Sequence, residues 1–516
     1  MEIRTLLLLR KEDAMTGKQA VILGILAVYM VFTMVIGIWQ SRVSARQHSS
    51  QGFLDNYFAG GRGMGGFILA MTLVATYTSA SSFLGGPGLA ASFGLTQSWE
   101  AGIQIATTFL TLGVLGKKFA LISRRIDAVT VTDYLRARYK SAPVVIISGI
   151  ALIVFFTTQM VAQFIGGATL MQTVTGLPYM WSLLLFAAVV IIYTSVGGFR
   201  AVVVTDMIQG IIMTCGTFLL LFFILKTGGG MHHLTAQLNQ INPGWNLMGK
   251  GHYGKGIIAL QPGYLISFWV LVGIATLGLP QTAVRCMGFK DTRSMHRAMV
   301  YGTVVVGILM IGMHFAGTIA APLIPKGAIK TTDSVIPYVV LHYMPTWAAG
   351  LFLAAPLAAV MSTVDSLLIL ASATIIKDLY LHYIVGNNPE REEKAESRVQ
   401  KYSFGITLLL GIITCIIAMN PPDIIVWINL FAFGGLEAAF FWPMIGGLYW
   451  KKGNATACIA SMIASLSVFI FFNRVKIAPF HIHEIVLGLL TGGIVYFLVG
   501  RYSYAKHPFE VDSELL

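Results

Sequence analysis

Apolar stretches of about twenty residues recur along nearly the whole chain, and nothing else constrains its fold so strongly. A helix rising about 1.5 Å per residue needs roughly that length to cross the hydrocarbon of a bilayer. Inside hydrocarbon it must also satisfy its own backbone polar groups. Thirteen such helices are expected, over about 18–40, 64–92, 97–120, 143–172, 178–195, 201–226, 263–284, 298–325, 346–377, 402–420, 422–450, 453–473 and 480–500. The longest polar gap, about 227–262, is too short for a soluble domain. Only 11% of the residues are charged, against roughly 25% in a soluble domain. The fold class that follows is an all-α polytopic membrane protein, with the lipid bilayer as its first partner.

A net charge of +13 over 516 residues invites a nucleic-acid reading, but the charges are distributed otherwise. Lys117, Lys118, Arg124, Arg125, Arg136, Arg138 and Lys140 share one loop, Arg285, Lys290, Arg293 and Arg297 a second, and Lys451 and Lys452 a third. These loops fall on one side of the helix count, the side that a Lys/Arg excess makes cytoplasmic. Thirteen spans then put the N-terminus outside and the C-terminus inside. No nucleic-acid partner is expected. The Leu6–Leu9 run is too short for a signal-peptide core, so residues 1–17 read as an extension, with Met15 an alternative start. Cys215, Cys415 and Cys458 lie in spans and Cys286 at a cytoplasmic end, which gives no disulfide framework.

Two spans are interrupted in a way that ordinary membrane helices are not. In the second, Ala75-Thr76-Tyr77-Thr78-Ser79-Ala80-Ser81-Ser82 precedes Gly85-Gly86-Pro87-Gly88. In the seventh, Thr276-Leu277-Gly278-Leu279-Pro280-Gln281 precedes Arg285. Unwinding there turns carbonyls inward, which is tolerated only where protein or water lines the break. Paired interruptions at matching places in two halves point to an inverted repeat with its site at the midplane. The division expected is 18–63 as an extra helix and loop, 64–226 as the first repeat, 227–262 as an external loop, 263–450 as the second repeat, and 451–516 as two final helices and a tail. The opening helix of one repeat then meets the third helix of the other, Leu357-Ala358-Ala359-Val360-Met361-Ser362-Thr363 with Asp365 following. Serine and threonine in membrane helices often only bond back to the backbone or join helices. Here the meeting gathers oxygens from Ala75, Thr78, Ala359, Ser362 and Thr363, which suits a hard, weakly bound cation such as sodium.

These residues resemble the sodium:solute symporter family. The marks are Gly60-Gly61-Arg62, Gly197-Gly198-Phe199-Arg200-Ala201 with Thr205-Asp206 and Gln209, Ala358 to Thr363, Lys377-Asp378-Leu379-Tyr380, and Trp442-Pro443 to Tyr449-Trp450-Lys451-Lys452 with Asn454-Ala455. They run in order along nearly the whole chain. Further stretches are similar to the bacterial pantothenate carriers of the family: Ser81 to Gly88, Gln163 to Ala168, Ser267 to Val272, Gly278-Leu279-Pro280 with Thr282 to Cys286, and Asn429 to Ala438. The resemblance implies a leucine-transporter-type 5+5 inverted repeat in the bacterial cytoplasmic (inner) membrane. It implies uptake of pantothenate, or a similar small anion, driven by Na+ as coupling ion with no cofactor and no catalytic residue. It places sodium on the carbonyls of Ala75, Thr78 and Ala359 and the hydroxyls of Ser362 and Thr363. Tyr77 and Asp365 depart from relatives, so Asp365 is a candidate for ion coupling, and a packing role stays open.

An anion within these spans finds no Lys or Arg between their ends. Half-helix N-termini, hydroxyl donors and the cation itself are left to meet the carboxylate. Ser79, Ser81 and Ser82 lead as donors, with Tyr77 beside them. Gln163, Thr276 and Gln281 are candidates for the substrate's amide and hydroxyls, Trp269 for its gem-dimethyl group, and Glu437 as an acid that packing explains poorly. Arg200 and Arg285 anchor helix ends or line an inner gate, and Asp206 has a basic partner nearby. His314 reads as a packing or hydrogen-bonding residue. His232-His233 and His481-Ile482-His483-Glu484 fall in loops without a His-Glu-x-x-His helix, which argues against a metallohydrolase. Another small solute such as proline, another amino acid or a monocarboxylate stays open, and a channel or a transporter-like sensor less so. The oligomeric state is not legible.

Overall fold

The computed structural model describes residues 2–46, 63–247, 261–386, 389–477, 479–508 and 511–512. The Gly60-Gly61-Arg62 motif and the side chains of residues 197–200, Arg200 included, lie outside the described residues. The described residues are helical apart from turns and one isolated bridge between Met64 and Phe289.

The helices in chain order are α1 (Glu2–Arg46), α2 (Gly66–Tyr77), α3 (Ser81–Phe93), α4 (Leu95–Arg125), α5 (Val131–Tyr139), α6 (Ala142–Thr175), α7 (Tyr179–Thr227), α8 (Met231–Ile241) and α9 (Pro262–Gly278). They continue with α10 (Pro280–Met287), α11 (Thr292–Leu323), α12 (Val335–Tyr343), α13 (Thr346–Val385), α14 (Pro389–Ala418), α15 (Ile425–Tyr449), α16 (Ala455–Val475) and α17 (Glu484–Lys506). Among the described residues ten helices are long and apolar enough to span, and two bent pairs, α2/α3 and α9/α10, bring the count to twelve. The shorter apolar stretch Tyr179–Ser195 within α7 is the counterpart of the remaining expected helix. Helices α5, α8 and α12 are extra, too short or too polar to register as spans.

Burial sorts the bundle by depth. The apolar window of α13 is wholly buried, whereas those of α1, α16 and α17 are 28%, 33% and 39% buried. A helix that is apolar all round belongs inside a bundle or in lipid, so the three peripheral helices turn their apolar surface outward. Helix α13 runs through the centre against α6, α7 and α2, and α11 packs along α2 and α3.

Each bent pair has a local cause. Helix α2 ends where Thr78 turns extended (φ −78°, ψ 131°), and the axis changes by 71° into α3. Pro87 has no N–H to donate; one turn earlier a π-turn over Ser81–Gly85 lets the Gly86 N–H reach the Ser81 carbonyl. The second break is held by Pro280, which disfavours helical backbone at the residue before it. Leu279 is accordingly extended (φ −83°, ψ 113°), Pro280 opens α10, and the axis bends by 43°.

At the end rich in basic residues, α5 begins with a reciprocal cap between Thr130 and Asp133. Asp133 also takes the Lys377 ammonium and lies 3.0 Å from Arg136. Burial alone would raise the Asp133 carboxyl; Lys377, the Val129 N–H and Arg136 hold it below the ordinary carboxylate value. Arg138 donates to the carbonyls of Gly447, Trp450 and Gly453 at 2.8–3.0 Å. A cation thus closes the C-terminus of α15, where the helix dipole favours it.

Candidate ion and substrate site

The break between α2 and α3 frees backbone groups at the centre of the bundle, and α13 supplies their partners. The Ser362 hydroxyl lies 3.0 Å from the Ala75 carbonyl and 3.1 Å from that of Ala359. The Thr363 hydroxyl lies 3.0 Å from the Thr78 carbonyl and 2.9 Å from that of Ala359. All five residues are fully buried. Each hydroxyl brings one hydrogen to two carbonyl oxygens, so two protons serve four close oxygen pairs. A buried cluster with more acceptors than donors is what a cation stripped of its hydration shell requires. Thr78 adds a buried hydroxyl that no described residue engages.

A cavity opens beside the break. Tyr77, Ser79, Ser81 and Ser82 line it from α2/α3, as expected. Gln97 and Gln104 of α4, His314 of α11 and Asn429 of α15 supply further polar wall, and Phe268, Val272 and Phe433 an apolar one. None of its lining residues is Lys, Arg, Asp or Glu. Sequence reasoning missed Gln97, Gln104, His314 and Asn429 as wall residues. The signal that would have found them is the one applied to Ser362, a polar group in a span that hydrocarbon would penalise.

Four of the expected substrate residues do not line the cavity and are engaged within the protein instead. Gln163 accepts from the Ala80 N–H at 2.8 Å and donates to Asn429 at 3.3 Å, one layer behind the cavity. Thr276 donates back to the Gly273 carbonyl at 2.5 Å. Gln281 reaches Gln159 at 3.5 Å, the limit of a hydrogen bond. Trp269 stacks on Trp99 with ring centroids 4.2 Å apart and does not line the cavity. Tyr77 lines the cavity and also donates to the Val272 carbonyl at 2.9 Å, joining the end of α2 to α9. Glu437 is fully buried one turn along α15 from Phe433, and no described residue hydrogen-bonds either of its oxygens.

Asp365 is not part of the oxygen cluster. It accepts from the Tyr193 hydroxyl and, through Ser366 at 3.4 Å, connects to Arg285, which donates to Ser366 at 2.5 Å. Arg285 lies 3.4 Å from Asp206, which also accepts from Thr72 at 2.6 Å. Asp206 thus has the basic partner expected of it. Arg285 lies inside the bundle: both members of the pair are fully buried, and their network ties α2, α7, α10 and α13 together. Among the described residues no cluster of three His, Cys, Asp or Glu side chains suits a metal. His232 and His233 are exposed, whereas His483 is buried and caps α17 by accepting from the Ile485 N–H.

The profile of the sodium:solute symporter family matches residues 57–465. The chain is 46% identical over 450 residues to a sodium/pantothenate symporter of Haemophilus influenzae, covering 87% of this chain and 90% of that protein. It is 44% identical to a sodium/pantothenate symporter of Escherichia coli, over 92% and 95% of the two chains. A sodium/proline symporter of Staphylococcus aureus is 30% identical over 95% and 94%. Among solved structures, a substrate-bound outward-open Na+-coupled sialic acid symporter superposes with a TM-score of 0.75 at 18% identity, over 95% of this chain and 98% of that one. Mhp1, a nucleobase-cation-symport-1 family transporter, gives 0.54 at 14% identity over 89% and 96%. The fold is accordingly the leucine-transporter type, with its five-plus-five inverted repeat.

Proposed function

The chain belongs to the sodium:solute symporter family, and from that premise we propose that it takes up pantothenate together with sodium by alternating access. The observation that carries the ion half is the meeting of the Ala75, Thr78 and Ala359 carbonyls with the Ser362 and Thr363 hydroxyls. The substrate half rests on the two sodium/pantothenate symporters that match this chain at 44–46% identity.

Sodium bridging α2 and α13 replaces the hydroxyl-to-carbonyl hydrogen bonds and holds the two repeats, 64–226 and 263–450, in a relation that accepts substrate. The pantothenate carboxylate lies against Ser81 and Ser82, where hydroxyls and the adjoining sodium offset its charge without a basic side chain. Reorientation exposes both to the cytoplasm, where low sodium empties the cluster. Loss of sodium restores the hydrogen bonds at Ser362 and Thr363. The protein sits in the bacterial cytoplasmic membrane with its N-terminus outside and its basic loops inside, following the Lys/Arg excess of those loops.

Labelled pantothenate uptake into proteoliposomes tests this reading, with an inward sodium gradient set against an equal choline gradient. Accumulation above equilibrium with sodium alone, abolished in a Ser362→Ala/Thr363→Ala double variant, is the expected result. Sodium-driven uptake of proline or a monocarboxylate in place of pantothenate would keep the ion site and overturn the substrate. No sodium effect with any solute would overturn the symport.

A further inference from the structure

Several polar side chains of the cavity wall have no role in this cycle, and His314 is one of them. His314 projects from α11 and lines the cavity together with Gly86, Gln97 and Ser82. Its Nδ1 lies 2.7 Å from the Met310 carbonyl oxygen. A carbonyl only accepts, so Nδ1 carries the hydrogen, and in the neutral ring Nε2 is left as an acceptor. No described residue hydrogen-bonds Nε2.

The ring is held firmly. A Cβ added at Gly86 would fall 2.3 Å from Nε2, and one at Gly317 would fall 2.1 Å from the Pro87 carbonyl oxygen, so α11 approaches α3 as closely as backbone allows. Thr318 donates within 3.3 Å of the Ala90 and His314 carbonyls and fixes the same turn. Gly86 lies about one helical turn along α3 from Ser81 and Ser82. A ligand whose carboxylate sits at the serines therefore extends its far portion along α3 toward His314.

We propose that His314 Nε2 accepts a hydrogen bond from a hydroxyl of the substrate's acyl half, and so selects hydroxylated acyl amides over their deoxy analogues. The proposal rests on the pantothenate reading above. In pantothenate two carbons separate the carboxylate from the amide, and the hydroxyls lie beyond it, at the end that reaches His314. A neutral acceptor there suits a hydroxyl donor and repels a second carboxylate. It gives the cavity an orientation, with the anion at the break and the diol at α11. A site built to bond a hydroxyl discriminates strongly against a ligand lacking it, since the buried acceptor is then left unpaired.

The test compares sodium-driven uptake of pantothenate and of its analogue lacking both hydroxyls, in the wild-type protein and in His314→Leu. The expected result is a KM for pantothenate raised roughly ten- to a hundred-fold in H314L, with the KM of the analogue unchanged. An equal change for both compounds, or none for either, would overturn the proposal and return His314 to packing. Should H314L not reach the membrane, the wild-type protein decides alone. Diethyl pyrocarbonate modifies unprotonated imidazole, and saturating pantothenate must slow modification of His314, read by mass spectrometry, several-fold. Absence of protection overturns the proposal. A wild-type protein that takes up no pantothenate sinks the proposed function itself, an outcome distinct from insensitivity of H314L.

Discussion

Asp206 and Arg285 form an ion pair with no measurable exposure of either side chain, and such a pair is sensitive to losing one member. Removing one charge leaves the other buried and uncompensated, a penalty of about 3–5 kcal/mol in comparable sites. Arg285→Met is therefore expected to lower the thermal stability of the detergent-solubilised protein sharply, and Arg285→Met/Asp206→Leu to recover much of it. A double variant no more stable than the single would refute the pairing. Asp365 sits two residues past Thr363 but faces Tyr193 and Ser366. If it couples the ion, Asp365→Asn shifts the sodium concentration for half-maximal uptake at normal expression; unchanged sodium activation assigns it to packing.

Asp333 lies in the turn before α12, with one carboxylate oxygen 3.3 Å from the Ile425 N–H. Burial raises its carboxyl to about 6, the Ile425 N–H opposes this, and Asp423 adds to it. The folded state thus holds a proton that the unfolded chain releases near the ordinary carboxylate value of about 3.9. The stabilisation from protonating Asp333 is present at low pH and is lost as pH rises through about 6. Wild-type melting temperature is expected to fall as pH rises from about 4 to about 6 and to level off above that, relative to Asp333→Asn, which keeps the neutral form throughout. Parallel curves for the two proteins would remove Asp333 as the cause.

At the scale of elements, the two breaks are built differently and respond differently to change. The break before α10 is written into the chain by Pro280. The break after α2 has no proline at its turn; it persists because Gln163, Ser362 and Thr363 engage the backbone groups it frees. The close approach of α11 to α3 depends on Gly317, where even a methyl group meets the Pro87 carbonyl. Gly317→Ala is expected to destabilise by about 1–3 kcal/mol, the usual penalty of overpacking, and to reduce uptake by displacing α3. Unchanged stability and uptake would mean that α11 can move aside without consequence. Helix α5 shows what apolar periodicity leaves out. It is short and polar, and it is held by the Thr130–Asp133 cap, by Lys377, and by Arg138 on the end of α15.

For the whole molecule the question is charge. One sodium with one monoanionic pantothenate moves no net charge, whereas each uncompensated charge would couple to about 2.3 kcal/mol per 100 mV. With one sodium at the α2–α13 cluster, initial uptake is expected to be indifferent to a potassium-valinomycin potential imposed on the proteoliposomes. Uptake that rises with a negative interior would require a second cation, and the Asp206–Asp365 network would be the first place to seek it.

The chain alone determined the membrane class, the approximate number of apolar segments and the places where polar groups and Pro280 interrupt two of them. These follow from properties local to a segment: twenty apolar residues need a bilayer, Pro280 stops a helix, and hydroxyls in a span need partners. Tertiary structure decided what each polar group in a span faces. Ser81 and Ser82 meet the cavity, Gln163 and Thr276 repair broken backbone, Asp365 joins the Arg285 network, and His314, which reads as packing, lines the cavity wall. The physical reason is that hydrocarbon penalises every unpartnered polar group alike, so the sequence marks where one occurs. Only the packing of α3, α11, α13 and α15 around the break fixes whether its partner is a carbonyl, a neighbouring side chain or a ligand.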